Sequence, residues 1–148
     1  MENLRQLYSF SGRSDRKSFW IVGATVWLSV AFLALLLMLV GRPQPAVLAI
    51  PTTFAALVCL LTTVSNNTRR LHDLGLSGWW QVVPPAIGFV FATVVGKILG
   101  ANTPTGALAF LVFSRGLSIV SWIALGMAKG DLEANEFGPT PTPLGASA

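Results

Sequence analysis

Charge is what this chain lacks most. Asp, Glu, Lys and Arg make up 11% of its 148 residues, against about 25% in an average soluble domain. It has one cysteine, Cys59, so no internal disulfide can form. It has one histidine, His72, and no cluster of carboxylates, so the three or four ligands of a zinc site are missing. No phosphate loop and no dinucleotide fingerprint occurs. No Gly-x-Ser-x-Gly elbow surrounds any serine. These absences remove the commonest routes to metal, nucleotide and serine-nucleophile chemistry, and no cofactor is expected.

What is present is long apolar sequence. Hydrophobic residues reach 53%. Ser18–Gly41, Pro43–Thr68 and Leu74–Gly96 are uncharged runs of 24, 26 and 23 residues. A helix needs about 20 apolar residues to cross the hydrocarbon core, and all three have that length. The fourth run is interrupted. Ile98–Ser114 begins with the turn signal Gly100–Gly106, so the expected span is Ala107–Ala128 with Arg115 inside it. The first run is too long for a signal-peptide core of about 7–15 residues, so it reads as an anchor that stays. The expectation is an all-α polytopic membrane protein with four transmembrane helices, at about 18–40, 46–68, 79–97 and 107–128. A segment 1–17 precedes the 18–129 membrane domain, and a flexible tail, 130–148, follows it.

The basic residues orient this arrangement. The net charge is +4, and seven of ten cations (Arg5, Arg13, Arg16, Lys17, Arg69, Arg70, Lys129) fall in the first segment, the middle loop and the start of the tail. Only Arg42 and Lys97 fall in the other two connections. Basic loops stay in the cytoplasm. Both termini are therefore expected inside, with Gly41–Pro45 and Lys97–Gly106 outside. The basic balance follows from this rule and needs no nucleic acid.

Several local features have readable roles. Leu4, Leu7 and Tyr8 suggest a short amphipathic turn. Ser14 reads as the N-cap of the first helix, with Asp15 in its first turn. Pro51 sits near the outer end of the second helix, where a missing N–H costs least. Gly88, Ala92, Gly96 and Gly100 recur every four residues, the spacing of a close-packed helix seam or simply of small residues common in spans. Pro139, Pro141 and Pro143 preclude a regular helix in the tail, which reads as extended or disordered.

The densest polar chemistry lies in Arg69-Arg70-Leu71-His72-Asp73-Leu74-Gly75-Leu76-Ser77-Gly78-Trp79-Trp80. It reads as a tight cytoplasmic turn. His72 and Asp73 are the natural place to look for catalysis, yet neighbours on a helix point about 100° apart. The structural alternative has Asp73 neutralising Arg69 or Arg70 and His72 bonding a backbone carbonyl. A binding reading groups Arg13, Arg16, Lys17, Trp20, Arg69, Arg70, His72, Asp73, Trp79 and Trp80 as one cytoplasmic face for anionic lipid headgroups or a protein partner. Its alternative is a set of independent charges that only set topology. Arg115 is an intramembrane cation with no acidic partner in any span. It either snorkels, marks a misplaced boundary, or belongs to a transport path.

Three blocks carry a resemblance: Phe10-Ser11-Gly12-Arg13 with Arg16 and Phe19-Trp20; Arg69-Arg70-Leu71-His72-Asp73 with Gly75 and Ser77-Gly78-Trp79-Trp80; and Asn135 with Phe137-Gly138-Pro139. In that order the chain resembles small bacterial inner-membrane proteins catalogued as domain of unknown function 805. The resemblance runs from about Leu7 to about Pro141. It implies a helical protein of the bacterial inner membrane and no established activity, so no catalytic residue carries over. The stretch between Gly88 and the tail block is longer than in many relatives and holds Arg115. The functional expectation is a non-enzymatic scaffold or regulatory component, working on lipid, on a membrane protein partner or as a homo-oligomer. The alternatives are a small transporter or channel component, and a membrane enzyme acting on lipid.

Overall fold

A computed structural model of the chain describes residues 9–39, 45–100 and 103–141. These form four α-helices: α1 (Arg16–Leu39), α2 (Pro45–Asp73), α3 (Val83–Leu99) and α4 (Pro104–Met127). A 3-10 turn, Gly78–Val82, leads into α3. Among the described residues there is no strand beyond an isolated bridge between Asn135 and Gly138. The amphipathic turn expected at Leu4–Tyr8, and Arg42, lie outside the described residues.

Local chemistry sets the helix ends. Asp15, not Ser14, caps α1: its carboxylate accepts from the backbone N–H groups of Lys17 and Ser18 at 3.2 and 3.3 Å. Two orphan donors at the positive end of the helix are thereby satisfied. Ser14 is buried, and its own N–H donates to the Arg69 carbonyl at 3.1 Å. Thr103 caps α4 by accepting from Gly106 N–H at 3.1 Å, and Pro104 takes the first helical position, where no N–H is needed.

The expected end of α2 is corrected. The helix continues through Arg69–Asp73, which the sequence placed in a loop, to a length of 29 residues. At 1.5 Å per residue that is about 43 Å, longer than a hydrocarbon core of about 30 Å. The first charge after the uncharged run, Arg69, ended the expected span at Thr68, but nothing there breaks a helix until Gly75. That residue has φ +68°, with Gly75 N–H donating to His72 O and Leu76 N–H to Leu71 O. This is a Schellman closure, and glycine suits its left-handed position.

Packing is uneven. The α3–α4 hairpin is the most extensive interface, and Gly88, Ala92 and Gly96 form its buried seam. Phe89–Phe110 and Phe91–Phe113 meet edge to face beside it, at 5.9 and 5.1 Å between centroids. α1 packs on α2 and on the last turns of α4, where Phe19, Trp20 and Trp122 cluster. Gly23 admits Trp122: a Cβ there would lie 2.6 Å from the ring.

Three helical stretches, Arg16–Leu39, Gly78–Leu99 and Pro104–Met127, are long and apolar enough to cross a membrane, with mean hydropathy 2.4, 1.9 and 1.9. The length of α2 and the uncharged run Pro43–Thr68 make it the fourth candidate. Hydroxyls within the spans, such as Thr25 and Ser29, donate to carbonyls four residues back at 2.8 Å, so they leave no open donor toward lipid.

Candidate functional site

The buried part of the molecule is polar. Among the described residues the buried hydrophobics are Phe19, Leu71 and Ala92, whereas Arg13, Ser14, Ser65, Asn66, Thr68, Arg70 and Asp73 are all buried. Most of this polar set gathers at the end of α2. Asp73 is its centre. One carboxylate oxygen accepts from Arg13 Nε at 3.1 Å and Nη2 at 2.9 Å, and the other accepts from Arg70 Nη1. The Arg70 and Asp73 side chains meet because they stand three residues apart on one helix face.

Neither guanidinium has free hydrogen-bonding capacity pointing outward. Arg13 also donates to the carbonyls of Glu133 at 2.6 Å and Asp131 at 2.5 Å. Arg70 donates to Leu125 O at 2.9 Å, to Ser14 O at 3.3 Å and to Ala128 O. Burial lowers the pKa of Arg70 from its usual value, and the adjacent Asp73 charge opposes that shift. Burying a charge is costly unless it is paired and hydrogen-bonded, and this network supplies both.

The same contacts close α4. Its last carbonyls have no helical partners. Leu125 and Ala128 are met by Arg70, Gly126 by the Trp20 indole N–H at 3.1 Å, and Met127 by Arg16 at 3.5 Å. Cations at a helix C-terminus also oppose its negative dipole end. Gly126 and Gly130 leave the necessary space: a Cβ at Gly126 would strike the Trp20 ring, and one at Gly130 would strike the Asp73 carboxylate.

The tail completes the knot. The segment 130–141, expected to be extended or disordered, is instead docked on α2, while residues 142–148 lie outside the described residues. Asp131 N–H donates to Asp73 O at 2.8 Å, and Asn135 Nδ2 donates to His72 O at 2.9 Å. Phe137 stacks on the His72 ring, 4.1 Å between centroids and 4° between planes. His72 Nδ1 lies 3.1 Å from Gly12 O, which assigns the proton to that nitrogen. The proline-rich composition correctly forbade a helix, but hydrogen bonding to the α2 terminus orders the chain without one.

The remaining predicted residues divide. Arg16 and Lys17 are exposed beside the knot, as is Lys129. Arg69 is half-buried, its pKa is lowered by desolvation, and its Nε has no hydrogen-bond partner among the described residues. Trp79 and Trp80 are 81% and 55% exposed and stand off the knot, on the 3-10 turn. Arg115 lies apart from all of these, at mid-helix in α4. Ser65 and Asn66, in the polar stretch Thr62–Thr68 that reads as facing other helices rather than lipid, donate from their side chains to Ser9 O at 2.6 Å and Phe19 O at 3.1 Å. Their polarity within an apolar run was the available signal. No group of three or more His, Cys, Asp or Glu residues that could hold a metal occurs among the described residues.

Apart from Trp79 and Trp80, the three sequence blocks thus meet in one site, and the family model that matches the chain covers all three. Residues 7–139 match the family described as Protein of unknown function (DUF805). The chain is similar to Uncharacterized protein YiiR of Escherichia coli (strain K12), at 41% identity over 75 residues, which cover 50% of this chain and 47% of YiiR. It is also similar to Inner membrane protein YhaH of the same strain, at 29% identity over 93 residues, which cover 62% of this chain and 77% of YhaH. The chain therefore spans about half the length of YiiR. No solved structure matches. With helices suited to spanning a bilayer, the chain belongs to the DUF805 family and is a multi-pass protein of the bacterial inner membrane.

Proposed function

We propose that the chain is a non-enzymatic membrane scaffold or regulatory component, with four spans and both ends in the cytoplasm. Its cytoplasmic rim binds anionic lipid headgroups or a partner protein. One observation carries this reading: the residues that looked most like catalytic groups are spent on structure. The Asp73 carboxylate is held by two arginines, and His72 is bonded to Gly12 O and covered by Phe137. What stays exposed around them is Arg16, Lys17 and Lys129, with Trp79 and Trp80 on the neighbouring turn. Exposed cations beside interfacial tryptophans suit an anionic surface.

The topology is supported by the same knot. The first segment, the end of α2 and the tail meet through Ser14 N–H to Arg69 O and Asp131 N–H to Asp73 O. Six of the ten cations lie there, a bias that belongs on the cytoplasmic side.

The test is photo-crosslinking from position 79 in native membranes, read by mass spectrometry of lipids and proteins. An adduct to anionic lipid or to one defined protein, lost in Arg16→Glu/Lys17→Glu, is the expected result. Adducts unchanged by that double variant would remove the rim from the proposal. A lipid product that disappears in His72→Ala protein of unchanged thermal stability would favour the enzyme alternative. A transporter or channel component is the second reading, because Thr63, Asn67 and Arg115 line one groove. Solute flux in proteoliposomes tests it.

A further inference from the structure

Between α2 and α4 runs a groove of about 1140 Å³, larger than the roughly 300–1000 Å³ of pockets that hold drug-sized ligands. Leu71, His72 and Ala128 line it near the knot, and the 3-10 turn adds Trp79, Trp80 and Gln81. Leu60 and Arg115 are the lining residues of α2 and α4 farthest from the knot. Arg115 is the twelfth of the 24 residues of α4. About 18 Å of helix therefore separates it from Met127, which puts its backbone near the bilayer midplane.

Among the described residues the charge of Arg115 has no counter-ion: no Asp or Glu of that set lines the groove, and both ion pairs in the set belong to Asp73. A cation at this depth is costly and, when it faces a cavity, marks a ligand or an ion path. The walls around it are mostly apolar, including Val64, Pro84, Trp122 and Leu125, with Thr63, Asn67 and Ser118 as neutral hydrogen-bonding groups. On the α2 wall Asn67 Oδ1 is buried without a partner. Apolar walls and one uncompensated guanidinium complement an amphiphile with an anionic head, and a bilayer supplies one laterally.

The geometry points to a bound anionic phospholipid in this groove, with its phosphate on the Arg115 guanidinium and its acyl chains along the apolar walls. The long arginine stem carries the charge several ångströms away from its backbone. Arginine meets phosphate with two parallel hydrogen bonds. This site is separate from the exposed rim described above, and either can fail without the other.

Lipid retention tests it. The protein is released from nanodiscs of equal parts phosphatidylglycerol and phosphatidylcholine, and retained lipid is counted by native mass spectrometry. Wild type should keep phosphatidylglycerol in preference. Arg115→Gln should lose that preference roughly ten-fold, the worth of one charge-assisted phosphate contact, while Arg115→Lys keeps part of it. Equal retention by wild type and Arg115→Gln would overturn the site. So would a preference lost in Arg16→Gln/Lys17→Gln but kept in Arg115→Gln, which would assign the lipid to the rim. Displacement of the lipid by millimolar inorganic phosphate would assign the groove to a free anion instead. Should Arg115→Gln fail to fold, a photo-crosslinker at Ser118 decides. Phosphatidylglycerol adducts support the site; adducts to phosphatidylcholine alone, or to a second copy of the chain, overturn it.

Discussion

At the knot, Arg70 is fully buried among carbonyls and a carboxylate, while on α1 Leu28 is 70% and Leu39 74% exposed. In water this distribution would be inverted. In lipid the apolar side chains have no reason to hide, and helix association falls to close packing and to polar contacts. The two regions therefore answer to different forces. The lipid-facing positions of the helical shell, such as Leu28, tolerate any residue that lipid tolerates. The knot depends on its hydrogen bonds, because Arg13, Arg70 and Asp73 at its centre are taken out of water.

The largest test of this contrast is to break the central pair. Arg70→Met leaves Asp73 with Arg13 alone and uncaps α4, and is expected to cost about 3–5 kcal/mol. Thermal unfolding in nanodiscs measures it, and a loss below the cost of an ordinary surface change would show that the knot does not hold the fold. Next comes space. Gly130→Ala drives a methyl into the Asp73 carboxylate, and Gly23→Ala drives one into the Trp122 ring. Each should cost about 1–3 kcal/mol. A similar loss, about 1–3 kcal/mol, is expected for His72→Ala, which removes the Phe137 stack and the bond to Gly12 O. Its distinctive readout is faster amide exchange in 131–138, since those residues lose the ring they pack on. Smallest of all, Leu28→Ala on the lipid face should shift stability by no more than about 0.5 kcal/mol. A larger effect would mean that Leu28 touches another chain, and would sharpen the contrast into a map of an oligomer interface.

Much of the shell was legible in the sequence. The spans expected at about 18–40 and 107–128 compare with Arg16–Leu39 and Pro104–Met127, because uncharged run length is a direct consequence of bilayer thickness. The seam at Gly88, Ala92 and Gly96 was also legible, since small residues four apart fall on one helix face. The candidate site was readable only as an inventory. Arg13 and Arg70 were picked out as cations for an external ligand, yet each is occupied by internal acceptors. Charge type can be read from one residue, but whether a charge points at solvent or at a carbonyl depends on what packs beside it. The tail shows the same limit. Its prolines announce the absence of a helix, but docking on His72 requires a partner 63 residues away.

Run length thus determined the membrane class, because it follows from the cost of moving charge through hydrocarbon. Only the tertiary structure decided that Gly12, Arg13, Arg70, His72, Asp73 and Asn135 form one closed knot, and that Arg115 faces a groove instead. The reason is physical. Burial of a guanidinium is tolerated only where acceptors from distant segments converge on it, and that convergence is a property of the packed chain.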